Sequence, residues 1–477
     1  MTAAASPSAT GLPPIRFGTD GWRAEIADAF TYPQVKRVAQ ASARILTQTY
    51  AGNGIAVGYD NRFLSEHFAR AAAEAIAAIG IPVKLSSQAT PTPALSWTVH
   101  QLGLQGALVV TASHNPPEYS GIKLKGAFGG SVSADITRQV EELLADLPVA
   151  VESTAPVAIE DFDPWPMYLG QLSQQVDLDA IRQSSVKIWI DAMHGSAAGG
   201  MTRLLGDRVR EIRGDRDPLF GGMSPEPLPP QLATTMEAIA ADPAPLKVGL
   251  VFDGDGDRIA AIDGKGKFLS PQIAIPILIQ HLAERRGYSG ELVKTVSGSE
   301  LFAKVAALYD IPVTETPIGF KYLADRMLAT DVLLGGEESG GIGFTGHIPE
   351  RDGMLSALYL LEAIAATERD LSDLYRDLQE RTGYTSYYNR RDLHLPDKSK
   401  QEKLMRSLDE TPPQAIEGRQ VQAHLTQDGH KFVLEDGSWL MIRASGTEPV
   451  LRLYCEALSP EAVEALLDWA ENWANRA

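Results

Sequence analysis

Short apolar segments alternate with amphipathic segments along almost the whole chain, and this alternation is the feature that most limits its fold. The segments QVKRVAQASARILTQTY and EHFARAAAEAIAAIG repeat apolar residues at the three- and four-residue spacing of a helix. GIAVGYD, IPVKLSS and GALVVTAS are short apolar runs that end in turn-forming residues, as strands do. The alternation predicts an α/β fold with parallel or mixed sheets, in which ligands bind at the carboxyl ends of strands.

The length of the chain predicts several domains, because 477 residues exceed what one hydrophobic core usually organises. The segment 147–166 is rich in proline and acidic residues, lacks helical periodicity and predicts a first boundary. From Gly383 onward the pattern contains more strands. We expect a disordered tail at 1–14 and four domains at 15–155, 156–262, 263–380 and 381–477.

The net charge of −18 argues against a nucleic-acid partner, because phosphate backbones are bound by clusters of Lys and Arg. An anionic substrate would require a local basic pocket. No apolar run reaches the roughly 18 residues of a membrane-spanning helix, and the first residues lack the features of a secretion signal. We therefore expect a cytoplasmic protein with no nucleic-acid and no membrane partner.

The segment DGDGDR, residues 253–258, places three carboxylates at alternate positions. In an extended backbone Asp253, Asp255 and Asp257 face one side, and oxygen ligands of this kind suit Mg²⁺. An EF-hand is excluded because Gly264 stands where that motif requires Glu. The alternative is an Asp-Gly hairpin turn between two strands. Three acids so close together favour the metal site.

A second candidate site follows the apolar strand ALVV, where TASHNPPEYSGIK places Ser113 on a loop stiffened by two prolines. The hydroxyl could be a nucleophile, a helix N-cap or a turn residue. The chain has no G-x-S-x-G motif, and His114 is a poor base for Ser113 because neighbouring side chains on a strand-like segment point apart. Together with a magnesium site, the serine is better explained as a phosphate carrier.

Two further oxygen-rich loops follow predicted strands in the second half of the chain. RASGTEP, residues 443–449, offers a guanidinium, hydroxyls and an open backbone to a phosphate, although it could also be a polar hairpin. GEESGG, residues 336–341, offers carboxylates either to sugar hydroxyls or to a helix N-terminus. The overlapping GIGFTG matches a dinucleotide-binding motif, but the helix that should follow at once is delayed, so a nicotinamide dehydrogenase is the weakest alternative.

These four loops, in this order and together with FGTDGWR near the start, resemble the α-D-phosphohexomutase family, which includes phosphoglucomutases and phosphomannomutases. The resemblance extends over nearly the whole chain. It implies a four-domain α/β architecture, with three related α/β domains and a smaller α+β C-terminal domain around a central cleft.

The resemblance also implies roles for individual residues. Ser113 would carry the phosphoryl group, and Mg²⁺ would be held by Ser113 together with Asp253, Asp255 and Asp257. Lys123 is the expected general acid/base, provided that the metal and the arginines lower its pKa. The expected catalytic set is Ser113, Lys123, His114, Arg23 and Arg258, and the expected substrate-binding set is Glu337, Ser339, Lys321, His347, Arg443, Ser445, Gly446 and Thr447.

The implied activity is interconversion of glucose 1-phosphate and glucose 6-phosphate through a phosphoserine, with glucose 1,6-bisphosphate as intermediate or activator. Glucose is favoured because Gly341 stands where some mannose-tolerant relatives have histidine, and because GFK at 319–321 and His347 resemble the glucose-preferring branch. The same residues would serve a synthase that takes phosphate from fructose 1,6-bisphosphate or another donor and releases glucose 1,6-bisphosphate. A non-catalytic sugar-phosphate-binding protein is a third hypothesis. The expected partners are hexose phosphates, and the expected assembly is a monomer or dimer.

Overall fold

The structure is a computed structural model that describes residues 15–147, 157–446 and 448–476. The expected tail at 1–14 lies outside the described residues. Within the described part of the chain, helices cover four sheets in layers, as the alternating sequence pattern predicts. The helices are α1 (Tyr32–Thr49), α2 (Ser65–Ala77), α3 (Thr92–Leu102), α4 (Ala134–Asp146), α5 (Trp165–Gln175), α6 (Leu178–Gln183), α7 (Gly200–Leu205), α8 (Pro229–Ala241), α9 (Pro271–Gln280), α10 (Glu300–Ala307), α11 (Phe320–Ala329), α12 (Gly353–Thr367), α13 (Leu371–Thr382), α14 (Lys398–Glu410) and α15 (Pro460–Arg476).

The first sheet belongs to the N-terminal part of the chain and has the strand order β1-β5-β4-β2-β3-β6. Strand β2 pairs in parallel with β3 and β4, whereas β5 returns antiparallel to β4. The sixth strand follows the proposed boundary between 155 and 156, yet it completes this sheet by pairing with β3. The strands are β1 (Trp22–Glu25), β2 (Ile55–Tyr59), β3 (Val83–Ser86), β4 (Gly106–Val110), β5 (Tyr119–Gly126) and β6 (Ile159–Phe162).

The second and third sheets repeat this arrangement of parallel strands with one antiparallel return. Their strand orders are β11-β10-β9-β7-β8 and β13-β12-β14-β15. The strands of the second are β7 (Lys187–Asp191), β8 (Val209–Ile212), β9 (Lys247–Phe252), β10 (Ile259–Ile262) and β11 (Phe268–Leu269), and those of the third are β12 (Glu291–Thr295), β13 (Val313–Thr316), β14 (Val332–Gly336) and β15 (Ile342–Phe344).

The fourth sheet is antiparallel throughout its described strands, with the order β16-β21-β20-β19-β18-β17. Helices α14 and α15 supply apolar side chains to its core. Three α/β domains followed by an α+β C-terminal domain are thus confirmed. The strands are β16 (Tyr387–His394), β17 (Ala415–Ile416), β18 (Arg419–Leu425), β19 (His430–Leu434), β20 (Trp439–Ala444) and β21 (Val450–Ala457).

Each predicted oxygen-rich loop connects a strand with its antiparallel neighbour. The connections are β4 to β5, β9 to β10, β14 to β15 and β20 to β21. In the first three sheets the strand before the loop also pairs in parallel with an inner strand. Every loop therefore begins at the carboxyl end of a strand that is held on both sides, where its side chains are positioned rigidly.

The second and third sheets share one hydrophobic core, whereas the first and fourth have separate cores. Helix α12 lies at the centre of the shared core, and its residues from Gly353 to Ile364 are buried on every face. The loops that follow β9 and β14 are consequently fixed relative to each other. None of the helices in the described part of the chain combines the length and apolar character needed to cross a membrane.

The first domain contacts the third through a buried ion pair between Lys125 and Glu350. Lys125 Nζ lies 2.5 Å from Glu350 Oε2 and 2.9 Å from Ser131 Oγ, and neither charged side chain is exposed. Removing one partner would leave an uncompensated buried charge.

We expect Lys125→Met to lower the apparent free energy of unfolding by about 3 kcal/mol or more. Guanidinium unfolding followed by tryptophan fluorescence provides the measurement. Lys84→Met is the control, because Lys84 pairs with the largely exposed Glu160 in the same sheet and should lose about 1 kcal/mol or less. Equal losses in the two variants would contradict the structural importance of the buried pair.

Candidate active site

The four predicted loops meet at a cleft of about 440 Å³. Among the described residues, eight basic and five acidic side chains line it, so its wall is basic although the chain is acidic. A second cavity, of about 590 Å³ beside residues 287–291 and 309–312, contains none of the predicted site residues. The cleft is therefore the candidate site for an anionic ligand.

Ser113 is buried next to the cleft-lining residues His114 and Asn115, in the connection between β4 and β5. Its φ of 52° is in the left-handed region, and its Oγ donates a hydrogen bond to Asp253 Oδ2 at 2.7 Å. His114 Nδ1 lies 3.5 Å from the same Oγ. The expectation that these neighbouring side chains point apart is wrong, because the loop turns at Ser113 instead of continuing as a strand. Burial, reinforced by nearby arginines, holds the pKa of His114 well below its usual value, so its imidazole is neutral at pH 7.

Asp253, Asp255 and Asp257 form a buried cluster in which one carboxylate oxygen of each lies within 4.8 Å of those of the other two. Burial and the charges of the other two raise the pKa of Asp253 to about 8. Oδ1 of Asp255 and Oδ1 of Asp257 are buried without a hydrogen-bond partner. A divalent cation with oxygen ligands would satisfy both, so the cluster fits the predicted Mg²⁺. The same loop is also the hairpin between β9 and β10, so the two interpretations of DGDGDR do not exclude each other.

Gly254 allows this cluster to approach the serine loop. A Cβ at Gly254 would lie 2.5 Å from the carbonyl oxygen of Ser113 and 2.9 Å from Pro225 Cγ. A larger residue would therefore push the two loops apart. The distance between the serine and the aspartates depends on the absence of a side chain at this position.

Lys123, on β5, extends from the first domain into the aspartate cluster. Its Nζ lies 2.6 Å from Asp257 Oδ2, 2.7 Å from Asp255 Oδ2 and 3.0 Å from Asp20 Oδ2. Burial alone would lower the pKa of Lys123, but the three carboxylates outweigh it and raise the pKa above its usual value. The expected acid/base role assumes that a bound metal and the arginines lower this pKa, so the raised pKa belongs to the cluster without its cation.

Two predicted arginines reach the cleft near Ser113. Arg23 Nη1 donates a hydrogen bond to Asn115 Oδ1 at 2.5 Å, and burial lowers the pKa of Arg23. Arg258 lines the cleft, and its Nε is buried without a hydrogen-bond partner. The guanidinium of Arg258 is thus available to an anion.

Arg351 is a site residue that the sequence analysis missed. Its guanidinium contacts Asp20, lies 2.9 Å from Asp257 Oδ2 and lies 3.7 Å from Glu337 Oε2. These carboxylates belong to three different domains, so Arg351 joins three charged loops at one point. Its place in HIPERDG, before α12, gave no local signal of this role.

Three of the residues expected to contact the sugar lie at the cleft. Glu337, Ser339 and Lys321 line the cleft, as expected of residues that contact a ligand there. Burial raises the pKa of Glu337 to about 7, although Arg351 opposes the shift.

His347 does not lie at the cleft, which corrects its assignment to substrate binding. Its side chain is fully buried, and its Nε2 lies 2.9 Å from Asp352 Oδ2. The ring stacks on Trp97 with centroids 5.3 Å apart. The physical reason is that packing on Trp97 and a hydrogen bond to Asp352 before α12 hold this ring in the interior.

The opposite end of the cleft contains Arg443, whose Nε donates a hydrogen bond to Asp428 Oδ1 at 2.9 Å. Ser445 and Gly446 continue the same loop but are not on the cleft wall. The Ser445 carbonyl accepts a hydrogen bond from Gln401 Nε2 at 3.2 Å. Thr447, the last predicted member of this loop, lies outside the described residues.

Arg390 and Arg452 also line this end, and the sequence analysis missed both. Arg452 stands directly opposite Arg443 in the β20–β21 pair, and Arg390 forms two hydrogen bonds with Asp392, of 3.0 and 2.8 Å. The spacing of arginines across the hairpin RASGTEPVLR was the available signal for Arg452. Three guanidiniums on adjacent strands suit a phosphate group.

Family models match most of the chain. Those for the phosphoglucomutase/phosphomannomutase α/β/α domains I, II and III match residues 14–148, 166–266 and 270–382, and the model for the C-terminal domain matches residues 397–470.

Individual relatives agree with the family match. A phosphoglucomutase/phosphomannomutase of Thermococcus kodakarensis is 28% identical over 95% of this chain and 96% of its own length. A phosphoglucosamine mutase of Carboxydothermus hydrogenoformans is 26% identical over 95% of this chain and 97% of its own. A crystal structure of a candidate phosphomannomutase from Thermus thermophilus has a TM-score of 0.85 and 36% identity, covering 97% of this chain and 100% of the other.

The aspartate cluster predicts binding of a divalent cation. We expect Asp255→Asn to weaken Mn²⁺ binding by about 100-fold, because it removes one of three converging charges. Electron paramagnetic resonance of free Mn²⁺ measures the affinity, and Asp179→Asn on the surface of α6 is the control. Equal affinity in the two variants would contradict the metal site.

Proposed function

The chain belongs to the phosphoglucomutase/phosphomannomutase family, and from this premise we propose that it interconverts glucose 1-phosphate and glucose 6-phosphate. The observation that carries the proposal is the hydrogen bond from Ser113 Oγ to Asp253 directly beside a basic cleft. A nucleophilic oxygen next to a candidate cation site and a cleft that attracts anions is suited to phosphoryl transfer.

The proposed reaction consists of two transfers. In the first, the Oγ–P bond of phosphorylated Ser113 breaks as the free hydroxyl of a hexose monophosphate forms the new P–O bond, and the proton of that hydroxyl passes to Ser113 Oγ. The product is a hexose 1,6-bisphosphate, which turns within the cleft. In the second, Ser113 Oγ bonds to the phosphorus at the other position, the P–O bond to the sugar breaks and the Ser113 proton passes to the sugar oxygen. The hexose is released as the isomeric monophosphate.

The residues around Ser113 would stabilise the negative charge of the phosphoryl group during transfer. Asp253, Asp255 and Asp257 would hold Mg²⁺, which supplies charge neutralisation and orientation of the phosphoryl group. Arg23 and Arg258 line the cleft and would contact the non-bridging oxygens of the phosphoryl group. Lys123 would stabilise negative charge near Ser113, and Mg²⁺ on its partners Asp255 and Asp257 would lower its pKa towards the expected acid/base role.

The remaining cleft residues would hold the sugar and its second phosphate. Glu337 and Ser339 offer oxygen atoms to the sugar hydroxyls. Arg443, with Ser445, Gly446 and Thr447 of its loop, would bind the phosphate that does not react. Arg390 and Arg452 add positive charge at the same end.

The preference for glucose rests on Gly341 and on the segment 319–321, since His347 is buried. A Cβ at Gly341 would clash with the Arg351 side chain. A histidine, which some mannose-tolerant relatives have at this position, would therefore displace the arginine that joins three domains.

Phosphorus NMR tests the activity directly. With Mg²⁺ and a trace of glucose 1,6-bisphosphate, we expect glucose 1-phosphate to convert to glucose 6-phosphate at least about tenfold faster than the mannose and glucosamine 1-phosphates convert. Ser113→Ala should abolish the conversion, whereas Ser120→Ala, which changes a buried and unpartnered hydroxyl on β5, should retain it. Little isomerisation, followed by accumulation of glucose 1,6-bisphosphate after fructose 1,6-bisphosphate is added, would instead identify a synthase.

The phosphate end of the cleft generates a separate prediction. Arg443→Ala should raise the KM for glucose 1-phosphate by about 10- to 100-fold, since it removes charge-assisted hydrogen bonds to a phosphate. Arg391→Ala is the matched control, because that arginine is on β16 and pairs with Asp468 of α15. Steady-state kinetics measures both, and an unchanged KM in Arg443→Ala would refute the proposed contact.

A further inference from the structure

A guanidinium is buried directly beneath the loop that contains Ser113. It belongs to Arg62, which follows strand β2 and has no exposed side-chain surface. Its Nε lies 3.1 Å from Asp60 Oδ2, and the Asp60 carboxylate is equally buried. The pair therefore lies inside the first domain and does not contact the cleft.

The other nitrogens of Arg62 donate hydrogen bonds to main-chain carbonyls of the serine loop. Nη2 donates to the carbonyl oxygens of Ser113, at 2.7 Å, and Asn115, at 2.6 Å. Nη1 donates to those of Pro116, at 2.7 Å, and Tyr119, at 3.0 Å. All five N–H groups of the guanidinium are thus used, four of them by one loop. A planar group with fixed donor directions consequently sets the path of residues 113–119.

Asp60 extends this support to the amide of Ser113. Thr111 Oγ1 donates a hydrogen bond to Asp60 Oδ2 at 2.7 Å and accepts one from Ser113 N at 2.9 Å. Both main-chain polar groups of Ser113 are therefore linked to the Asp60–Arg62 pair. Such support is needed because the left-handed φ of Ser113 is sparsely populated by residues other than glycine.

The same pair is in contact with the second domain, which carries the aspartate cluster. The Phe220 ring lies with its centroid 5.0 Å from the Arg62 guanidinium carbon. Asn61 Nδ2 donates hydrogen bonds to the carbonyl oxygens of His194 and Gly195, both at 2.9 Å. The support of the serine loop is thus anchored to the domain that Ser113 Oγ must face.

We propose that Arg62, held by Asp60, is a positioning residue for phosphoryl transfer. Its guanidinium fixes the main chain of residues 113–119 so that Ser113 Oγ faces Asp253. This inference rests on the proposed role of Ser113 as phosphoryl carrier. A lysine could neutralise Asp60, but its single ammonium could not reach four carbonyl groups in the directions that the guanidinium spans.

The test compares Arg62→Lys and Arg62→Met with Arg37→Met in the mutase assay. Arg37 is the matched control, because its buried guanidinium also donates to backbone carbonyls of the first domain, those of Leu144 and Leu147, at 2.6 and 3.3 Å. We expect both Arg62 variants to lose about 100-fold in kcat with KM within about threefold of the wild type. Arg37→Met should lose stability but keep the kcat of its folded fraction.

Hydrogen–deuterium exchange of residues 113–122 supplies a readout that does not depend on activity. It should be faster in Arg62→Lys than in the wild type and unchanged in Arg37→Met. Near-normal kcat in folded Arg62→Lys, or unchanged exchange in that peptide, would overturn the inference. An absence of Ser113-dependent mutase activity in the wild type would instead overturn the proposed function, and exchange would still test the support of the loop.

Thr111→Val provides a second variant if the arginine variants do not fold. It removes the hydroxyl that links Ser113 N to Asp60 while keeping the side-chain shape. We expect about a tenfold loss in kcat with little change in KM. Full kcat in this variant would refute the role of the Asp60–Arg62 pair in positioning Ser113.

Discussion

Three carboxylates are buried beside one serine, so the rest of the site has to supply positive charge that compensates them. Asp253, Asp255 and Asp257 come from a single loop of the second domain, where burial and their mutual repulsion raise the pKa of Asp253 to about 8. Arg258 of the same loop compensates Asp253, whereas Lys123 from the first domain contacts Asp255 and Asp257 and Arg351 from the third contacts Asp257. The charge balance is therefore complete only when three domains are assembled, and this requirement ties folding to the formation of the site.

The topology explains how residues so distant in sequence reach one point. Each functional loop connects a strand with its antiparallel neighbour, and these connections lie at the carboxyl ends of strands that are paired on both sides. The second and third sheets also share one apolar core around α12, so the aspartate loop and the loop with Glu337 form a single rigid part. The serine loop meets this part closely because Gly254 has no side chain to separate them.

Local patterns allowed much of this site to be predicted from sequence. The aspartates of DGDGDR and Ser113 after ALVV stand out because residue type, spacing and strand context coincide within a few positions. Arg62 and Arg351 could not be found in this way, since each is an ordinary arginine whose partners are defined by tertiary contacts. The same limit explains His347, where packing on Trp97 overrode the motif, and the direction of the Lys123 pKa, which depends on three carboxylates from two domains.

The fourth domain is attached differently from the other three. Its own core is separate, and a small apolar cluster with Trp439 joins it to the third domain. Polar links are added by Asp428, which accepts a hydrogen bond from Ile318 N, and by Lys431, which donates to the Val296 carbonyl. Because water can replace the partners of such bonds, they hold the domain less firmly than the shared apolar core holds the second and third domains together. The bisphosphate of the proposed reaction would need the cleft to loosen as it turns, and displacement of the fourth domain would loosen it while Ser113 and the aspartate loop stay fixed.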